Sequence, residues 1–174
     1  SRSETEKNIC FKIAVKFGHT ELMTQLLHFK INLKGLNIEH ILNNIDVAAL
    51  LLKHEFDINS KNLEGNTLLH LAAENGNFGL LLFLIQQGAN TDSKNSEGSI
   101  PLELAIRNSK FNTAFLLTIN NLSQYGPKSI SDGLSYGMHQ YVSELIDLGL
   151  DVEQKDDSGE TLLWRAVKAK VFDG

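Results

Sequence analysis

The stretch 62–94 constrains the fold of this chain most, because it has the pattern of a complete structural unit. Gly65 suits an entry turn, since a positive φ costs a glycine nothing. Thr67 then suits the start of a helix, where its hydroxyl can accept a hydrogen bond from the first turn. Gly76 suits the end of that helix, and a second, more apolar helix is predicted over about 78–87. The stretch therefore predicts a turn, two short helices and an exit loop.

The entry glycine recurs along the chain, which predicts a repeat array. Gly65 and Gly98 are 33 residues apart, Gly98 and Gly126 are 28 apart, and Gly126 and Gly159 are again 33 apart. One helical unit of this size cannot bury its apolar face alone, so neighbouring units must stack. The short interval predicts a five-residue deletion in the loop after Ile119.

The same stretch closely resembles the ankyrin repeat. It departs from the family pattern at Asn62, where Asp is usual, and at Leu68, where Pro is usual. The resemblance implies an all-α solenoid of stacked helix-turn-helix units with short β-hairpin-like loops, and it implies a structural role for the histidine of the motif. The matching residues are Gly65, Thr67, Leu69, His70, Ala72, Ala73, Gly76, Gly88, Ala89 and Asn90.

The resemblance divides the chain into one ankyrin repeat domain over 8–174, which follows a polar leader or cloning remnant at 1–7. It is strongest at 62–108 and weakest at 35–45. End units are expected to be atypical, because one of their faces meets water. The predicted units are 8–34, 35–61, 62–94, 95–125, 126–155 and a partial unit over 156–174.

Two units carry specific expectations. In the first unit, alignment with 62–94 places Ile13 in the core beside Phe11 and Ala14, and Leu22 is expected to point inward. In the second unit, the first helix over about 36–43 should be shortened, with Asn43 in place of the terminating glycine, since Asn tolerates left-handed φ.

Composition excludes several function classes. The chain has 174 residues and a net charge of −5, from 16 basic and 21 acidic residues, which argues against nucleic acid as a partner. Cys10 is the single cysteine, which precludes an internal disulfide and fits a reducing compartment. The longest apolar run, 79–85, is too short for membrane insertion, and no signal peptide is visible. These observations predict an intracellular protein, cytoplasmic or nuclear.

The sequence contains only weak candidates for a catalytic or metal-binding site. Residues 133–137 match G-x-S-x-G, but Ser135 falls inside a predicted helix and Gly137 coincides with a repeat terminator, so a nucleophile elbow is disfavoured. The six histidines lack the spacing of a helical zinc site. The sequence therefore predicts no enzyme activity, no cofactor and no metal.

The resemblance also implies where a partner would bind. First helices and hairpin tips form the concave side of an ankyrin stack, and Phe17, Leu63 and Arg107 carry the most weight, because few aromatic or Arg residues dominate interfaces. For each residue the alternative is plain solvated surface. The predicted partner-binding residues are Lys16, Phe17, Lys61, Leu63, Glu64, Asn66, Glu74, Asn75, Lys94, Ser96, Glu97, Ser99, Arg107, Asn108, Lys155, Asp157, Ser158 and Glu160.

The resulting hypothesis is a non-catalytic module, monomeric by itself, that binds another protein on its concave helix and loop face. An alternative stays open. The chain could be the targeting or substrate-recruiting segment of a larger enzyme, or of a bacterial effector that acts in the host cytosol. The reading frame on either side of the chain would separate the two.

Overall fold

The computed structural model describes residues 2–29, 31–33, 36–120 and 139–147, together with residues 133, 153, 155, 159–161 and 164. Over these residues the regular structure is helical, apart from two isolated β-bridges, and the prediction of an all-α fold is confirmed. The helices are α1 (Arg2–Phe17), α2 (Thr20–Leu27), a 3₁₀ helix (Ile38–Ile41), α3 (Ile45–Lys53), α4 (Leu68–Asn75), α5 (Phe78–Gln86), α6 (Pro101–Arg107), α7 (Phe111–Asn120) and α8 (His139–Asp147).

The described helices stack in two rows. The first row runs α1, the 3₁₀ helix, α4 and α6, and the second row runs α2, α3, α5, α7 and α8, with each helix in contact with the next in its row. Helix pairs that are consecutive in sequence also pack across the rows. The apolar core lies between the two rows. Its fully buried side chains include Phe11, Met23, Ile41, Leu51, Leu69, Leu80, Leu84 and Leu117.

Helices α4 and α5 form as the local sequence predicts. The Thr67 hydroxyl accepts from the backbone N–H of His70 at 3.4 Å, and Gly76 ends α4 with φ +72°. Asn77 caps α5, because its Oδ1 accepts from the N–H of Leu80 at 3.1 Å. Its amide nitrogen donates 2.7 Å to the carbonyl of Leu42, which ties this unit to the preceding one.

The second unit departs from the others, as expected, in its first helix. Only the 3₁₀ helix Ile38–Ile41 forms there. The expectation that Asn43 replaces a left-handed glycine is wrong, because Asn43 is not among the residues with positive φ. The chain instead enters α3 through Asn44, whose side chain caps the N–H of Val47 at 3.1 Å. Among the described residues of this unit, Glu55 is left-handed, with φ +62°, one period before Gly88.

The first unit is exposed on one side. Phe11 and Ala14 are buried as predicted, but Ile13 is 49% and Leu22 is 42% exposed, so their expected inward positions are wrong. Met23 takes the buried place on α2. The reason is that α1 packs on α2 and the 3₁₀ helix, which leaves its remaining face open. Residues 2–7, expected to precede the fold as a leader, form the first turns of α1.

Some expectations lie outside the described residues. These are the first helix of the unit 126–155, the short loop after Ile119, and the residues Ser135, Gly137, Asp157 and Ser158. Over the part of the chain that the structure describes, no helix combines the length and the apolar character that a bilayer crossing requires.

Candidate functional site

A compact turn precedes α4, and we name residues 61–67 finger 1. Lys61 and Thr67 form an isolated antiparallel bridge at its base. The backbone N–H of Asn62 donates to the carbonyl of Asn66 at 2.9 Å. The side-chain oxygen of Asn62 accepts from the N–H of Glu64 at 3.1 Å and from the N–H of Asn66 at 2.9 Å. These three hydrogen bonds of Asn62 stabilise the tip of the turn. The turn has the form of the expected short hairpin-like loop.

Residues 94–100, finger 2, repeat this geometry before α6. The side-chain oxygen of Asn95 accepts from the N–H groups of Glu97 at 3.0 Å and Ser99 at 2.9 Å. The isolated bridge between Lys155 and Thr161 joins residues six positions apart, as the bridge between Lys61 and Thr67 does. This spacing is thus repeated along the chain.

Fingers 1 and 2 are joined by hydrogen bonds. The N–H of Ser96 donates to the carbonyl of Glu64 at 2.9 Å, and the side-chain amide of Asn95 donates to Asn66 Oδ1 at 2.9 Å. An aspartate, the usual family residue at this turn position, is ionised near neutral pH and then only accepts hydrogen bonds. The asparagine therefore supplies a bond that the usual residue lacks, and it fixes one tip against the next.

The close approach of the two fingers predicts unequal effects of two Gly→Ala substitutions. Both Gly65 (φ +75°) and Gly98 (φ +82°) are left-handed, which costs a non-glycine residue about 1–2 kcal/mol. A Cβ on Gly65 would also meet the Ser96 nitrogen at 2.7 Å, whereas a Cβ on Gly98 meets no atom of the described residues within 4 Å. We expect Gly65→Ala to lower the free energy of unfolding in urea clearly more than Gly98→Ala. Equal losses would contradict the contact.

The ring of His70, on α4, is hydrogen-bonded to both fingers. The backbone N–H of Thr67 donates to His70 Nδ1 at 3.1 Å, which places the ring proton on Nε2, and Nε2 donates to the carbonyl of Ser99 at 3.0 Å. The ring is fully buried, and this burial lowers the pKa of His70 below its ordinary value, opposed by the bond to Ser99. The predicted structural role of this histidine is what the geometry supports.

A groove of about 470 Å³ lies between the fingers and the first-row helices α4 and α6; we name it groove A. Leu63 stands at the tip of finger 1 and is fully exposed, with a relative exposure of 105%. Leu104 contributes to the lining from α6. The charged residues that line groove A are Glu64, Glu74, Glu97 and Arg107.

The charges of groove A are not balanced. Arg107 Nη1 pairs with Glu97 at 3.2 Å, and its Nη2 donates to the Ser99 hydroxyl at 3.4 Å. Among the described residues, the carboxylate of Glu64 accepts a hydrogen bond only from a neutral amide, that of Asn66 at 3.1 Å. Glu74 makes no hydrogen bond or ion pair to the residues the structure describes. Two carboxylates in this groove therefore lack a cationic partner there.

Leu63 also borders a second groove of about 440 Å³, groove B, on the other side of finger 1. Leu36 and Ile38 supply apolar lining from the second unit, and both are almost fully buried. Glu39, Lys61 and Glu64 supply the charged lining. Leu63 is thus an exposed apolar side chain with a groove on each side.

The structure brings some of the predicted partner-binding residues together and separates others. Two of the residues predicted to contact a partner are buried instead of exposed: Asn66 and Ser99 are each 5% exposed. Asn66 bonds to Asn95 of finger 2, and the Ser99 hydroxyl accepts from Arg107. Those that line groove A are Leu63, Glu64, Asn66, Glu74, Ser96, Glu97, Arg107 and Asn108, and Lys61 lines groove B.

The remaining predicted residues that the structure describes line neither groove. Lys16 and the 64%-exposed Phe17 end α1. The amide of Asn75 donates to the carbonyl of Leu71 at 2.8 Å, and the carbonyl of Lys94 accepts from Lys61 Nζ at 2.7 Å. Lys155 is exposed and Glu160 is half-buried, while Asp157 and Ser158 are outside the described residues.

Sequence reasoning missed several lining residues. Asn95 and Leu104 line groove A, but their counterparts one period of 33 residues earlier, Asn62 and Leu71, were not predicted as partner-binding residues, so the period carried no signal for them. Leu36, Ile38 and Glu39 line groove B, but they lie in the unit that matches the repeat pattern least, so the alignment carried no signal for them.

Nothing in the described ranges indicates metal chemistry, since no group of three His, Cys, Asp or Glu side chains there could hold a metal ion. Of the G-x-S-x-G stretch, the structure describes only Gly133, and Ser135 lies outside the described residues.

Two comparisons with known proteins bear on the family of the chain. The family model described as ankyrin repeats (3 copies) matches residues 11–126. A protein of fowlpox virus (strain NVSL) named as ankyrin repeat protein FPV219 is 42% identical over 48 residues. That match spans 28% of this chain and 11% of the viral protein, so the chain covers only a small part of the relative's length.

Proposed function

The chain belongs to the ankyrin repeat family, and we propose that it binds another protein through the surface formed by fingers 1 and 2 with helices α4 and α6. Ankyrin repeats are generally protein–protein interaction modules and are typically not catalytic. The proposal concerns which face binds and which side chains contact the partner. The observation that carries it is the fully exposed Leu63 between two grooves.

Leu63 supports this proposal energetically. It lies at a loop tip with 105% relative exposure, where it adds nothing to the core. Covering a leucine side chain is worth about 1.5–3 kcal/mol, which makes this residue the largest single apolar contribution that finger 1 can give to a complex. A partner side chain in groove A or groove B would cover Leu63 from the side.

The rigidity of the fingers is a second support. Hydrogen bonds from Ser96 and Asn95 hold finger 2 against finger 1, and His70 holds both to α4. A binding surface that is already ordered loses less conformational entropy on association. The same bonds would keep Leu63 and the groove walls in one relative position.

The setting of the interaction follows from composition and stays part of the proposal. We place it in a reducing compartment, cytoplasmic or nuclear, where the exposed thiol of Cys10 would stay free. We propose a monomer that needs no cofactor and performs no chemistry. The partner is a protein rather than a nucleic acid, because the net charge of the chain is −5.

The test is a capture experiment from eukaryotic cytosol with identification by mass spectrometry. The wild type is compared with the triple variant Leu63→Ala/Glu74→Ala/Arg107→Ala. Each of these side chains is at least partly exposed, and surface substitutions change stability by only about 0.5 kcal/mol, so the variant should fold. We expect a protein that the wild type retains and the triple variant loses.

A matched control changes the same kinds of side chain on the second row of helices, with Lys53→Ala/Ile119→Ala/Glu144→Ala. All three residues are exposed on α3, α7 and α8. This control should retain the partner. Loss of the partner with the control, or retention with the triple variant, would contradict the proposed face.

A further inference from the structure

The charge of groove A indicates what kind of side chain its occupant carries. Glu97 is neutralised by Arg107 at 3.2 Å. The carboxylates of Glu64 and Glu74 remain, with no cationic partner among the residues that the structure describes in this groove. Whatever fills the groove displaces water from these carboxylates, which is unfavourable unless it supplies a compensating charge or hydrogen-bond donors.

The apolar residues of the same groove limit the occupant further. Leu104 lines groove A, and the fully exposed Leu63 forms its edge on finger 1. A free cation or a small polar molecule would leave Leu63 uncovered. A polypeptide segment could instead place a basic side chain between the carboxylates and an apolar side chain against Leu63.

We propose that groove A receives a segment of the partner protein that carries an arginine or lysine next to an apolar residue. The basic side chain lies between Glu64 and Glu74, and the apolar neighbour packs on Leu63. This inference rests on the proposed function and adds the chemistry of the partner to it. The basic side chain complements the negative charge of the two carboxylates. The groove, at about 470 Å³, is large enough for one long side chain and its neighbour.

The arrangement also predicts which basic side chain fits better. Arginine can bond two oxygens at once with its planar guanidinium, whereas lysine acts as a point charge. Arg107 already occupies the Glu97 side of groove A, so the incoming charge is directed to Glu64 and Glu74. We therefore expect arginine to be preferred over lysine.

The experiment uses two displayed peptide libraries that are identical except at one central position. One library fixes arginine or lysine there, and the other fixes aspartate or glutamate, with random residues on both sides. Both are selected on the wild-type protein, and binders are then measured against Glu64→Gln/Glu74→Gln. The control variant, Glu21→Gln/Glu144→Gln, removes the same number of charges from exposed positions on α2 and α8.

We expect binders from the basic library only, with an apolar residue beside the central position. Their dissociation constants should rise about tenfold with Glu64→Gln/Glu74→Gln and at high salt, and should not change with the control variant. Binding should also weaken with Leu63→Ala. Binders that come equally from both libraries, that ignore Glu64→Gln/Glu74→Gln, or that fail to appear from either library overturn the inference.

Failure of this inference is distinguishable from failure of the proposed function. If capture from cytosol depends on Leu63 but not on the charges of Glu64 and Glu74, the binding face stands and the basic segment is wrong. If capture does not depend on Leu63, Glu74 or Arg107 at all, the binding face itself is wrong.

Discussion

Leu69→Ala is expected to lower the free energy of unfolding by about 2–5 kcal/mol, the usual cost of truncating a buried leucine. Leu69 is 1% exposed on α4 and belongs to the core between the two rows of helices. In a stack of repeats, the cavity would weaken the contact of α4 with its neighbours as well as its own unit. The measurement is equilibrium unfolding in urea, followed by circular dichroism.

Leu63→Ala is the matched control, because it is the same substitution six residues earlier in the chain. Leu63 is fully exposed on finger 1, so the loss should stay within about 0.5 kcal/mol. The two variants therefore separate the core from the binding face with one kind of side chain. Similar losses for both would mean that the inward and outward assignments at this unit are wrong.

The helices of the units with a good repeat pattern could be predicted from sequence because their signals are local. Thr67 and Gly76 set the ends of α4 through hydrogen bonds and φ values that depend on a few neighbouring residues. Pro101 is a local signal of the same kind: it is the first residue of α6, where its missing N–H costs little. Such signals do not depend on how the units stack.

The wrong predictions of side-chain exposure occur at residues whose exposure depends on how neighbouring units stack. Ile13 has the spacing of a core residue, yet it is 49% exposed because α1 is covered on one side only. Asn66 has the position of a loop tip, yet it is 5% exposed because Asn95 of the next finger bonds to it. Both outcomes depend on a neighbour about a repeat away, which a pattern within one unit does not contain.

The candidate surface was predictable in outline and not in detail. Leu63, Glu74 and Arg107 could be named because they fall at tip and helix positions that carry no core residue in the repeat. The pairing of Arg107 with Glu97, and therefore the assignment of Glu64 and Glu74 as the unpaired carboxylates of groove A, depends on the distance between two side chains ten residues apart. Side-chain geometry of this kind requires the three-dimensional structure.

Replacement of His70 by alanine should lower the free energy of unfolding by about 2–4 kcal/mol. The substitution leaves the buried N–H of Thr67 without its acceptor at 3.1 Å, which costs about 1–3 kcal/mol. It also removes one of the two donors to the carbonyl of Ser99, which keeps the N–H of Asn95 at 3.0 Å, and the lost bond adds about 1 kcal/mol. His54→Ala, at an exposed residue after α3, is the control and should change stability little.

The lowered pKa of His70 also predicts how the free energy of unfolding changes with pH. Its pKa is lowered in the folded state, mainly by burial and further by the charge of Lys61, and a proton on Nδ1 would remove the acceptor of the Thr67 N–H. The unfolded chain therefore binds the proton more readily, near the ordinary pKa of about 6.5. The contribution of His70 is complete above that pH and is lost as the pH falls through the lowered pKa.

Urea unfolding as a function of pH tests this linkage. The wild type should lose stability on acidification below about pH 6.5 more steeply than His70→Ala, because the variant has no such proton to bind. His54→Ala should keep the wild-type slope, since it leaves the buried histidine in place. If the wild type and His70→Ala showed equal slopes between neutral and mildly acidic pH, His70 would not be held neutral by its bonds to Thr67 and Ser99, and the junction of α4 with the two fingers would need another explanation.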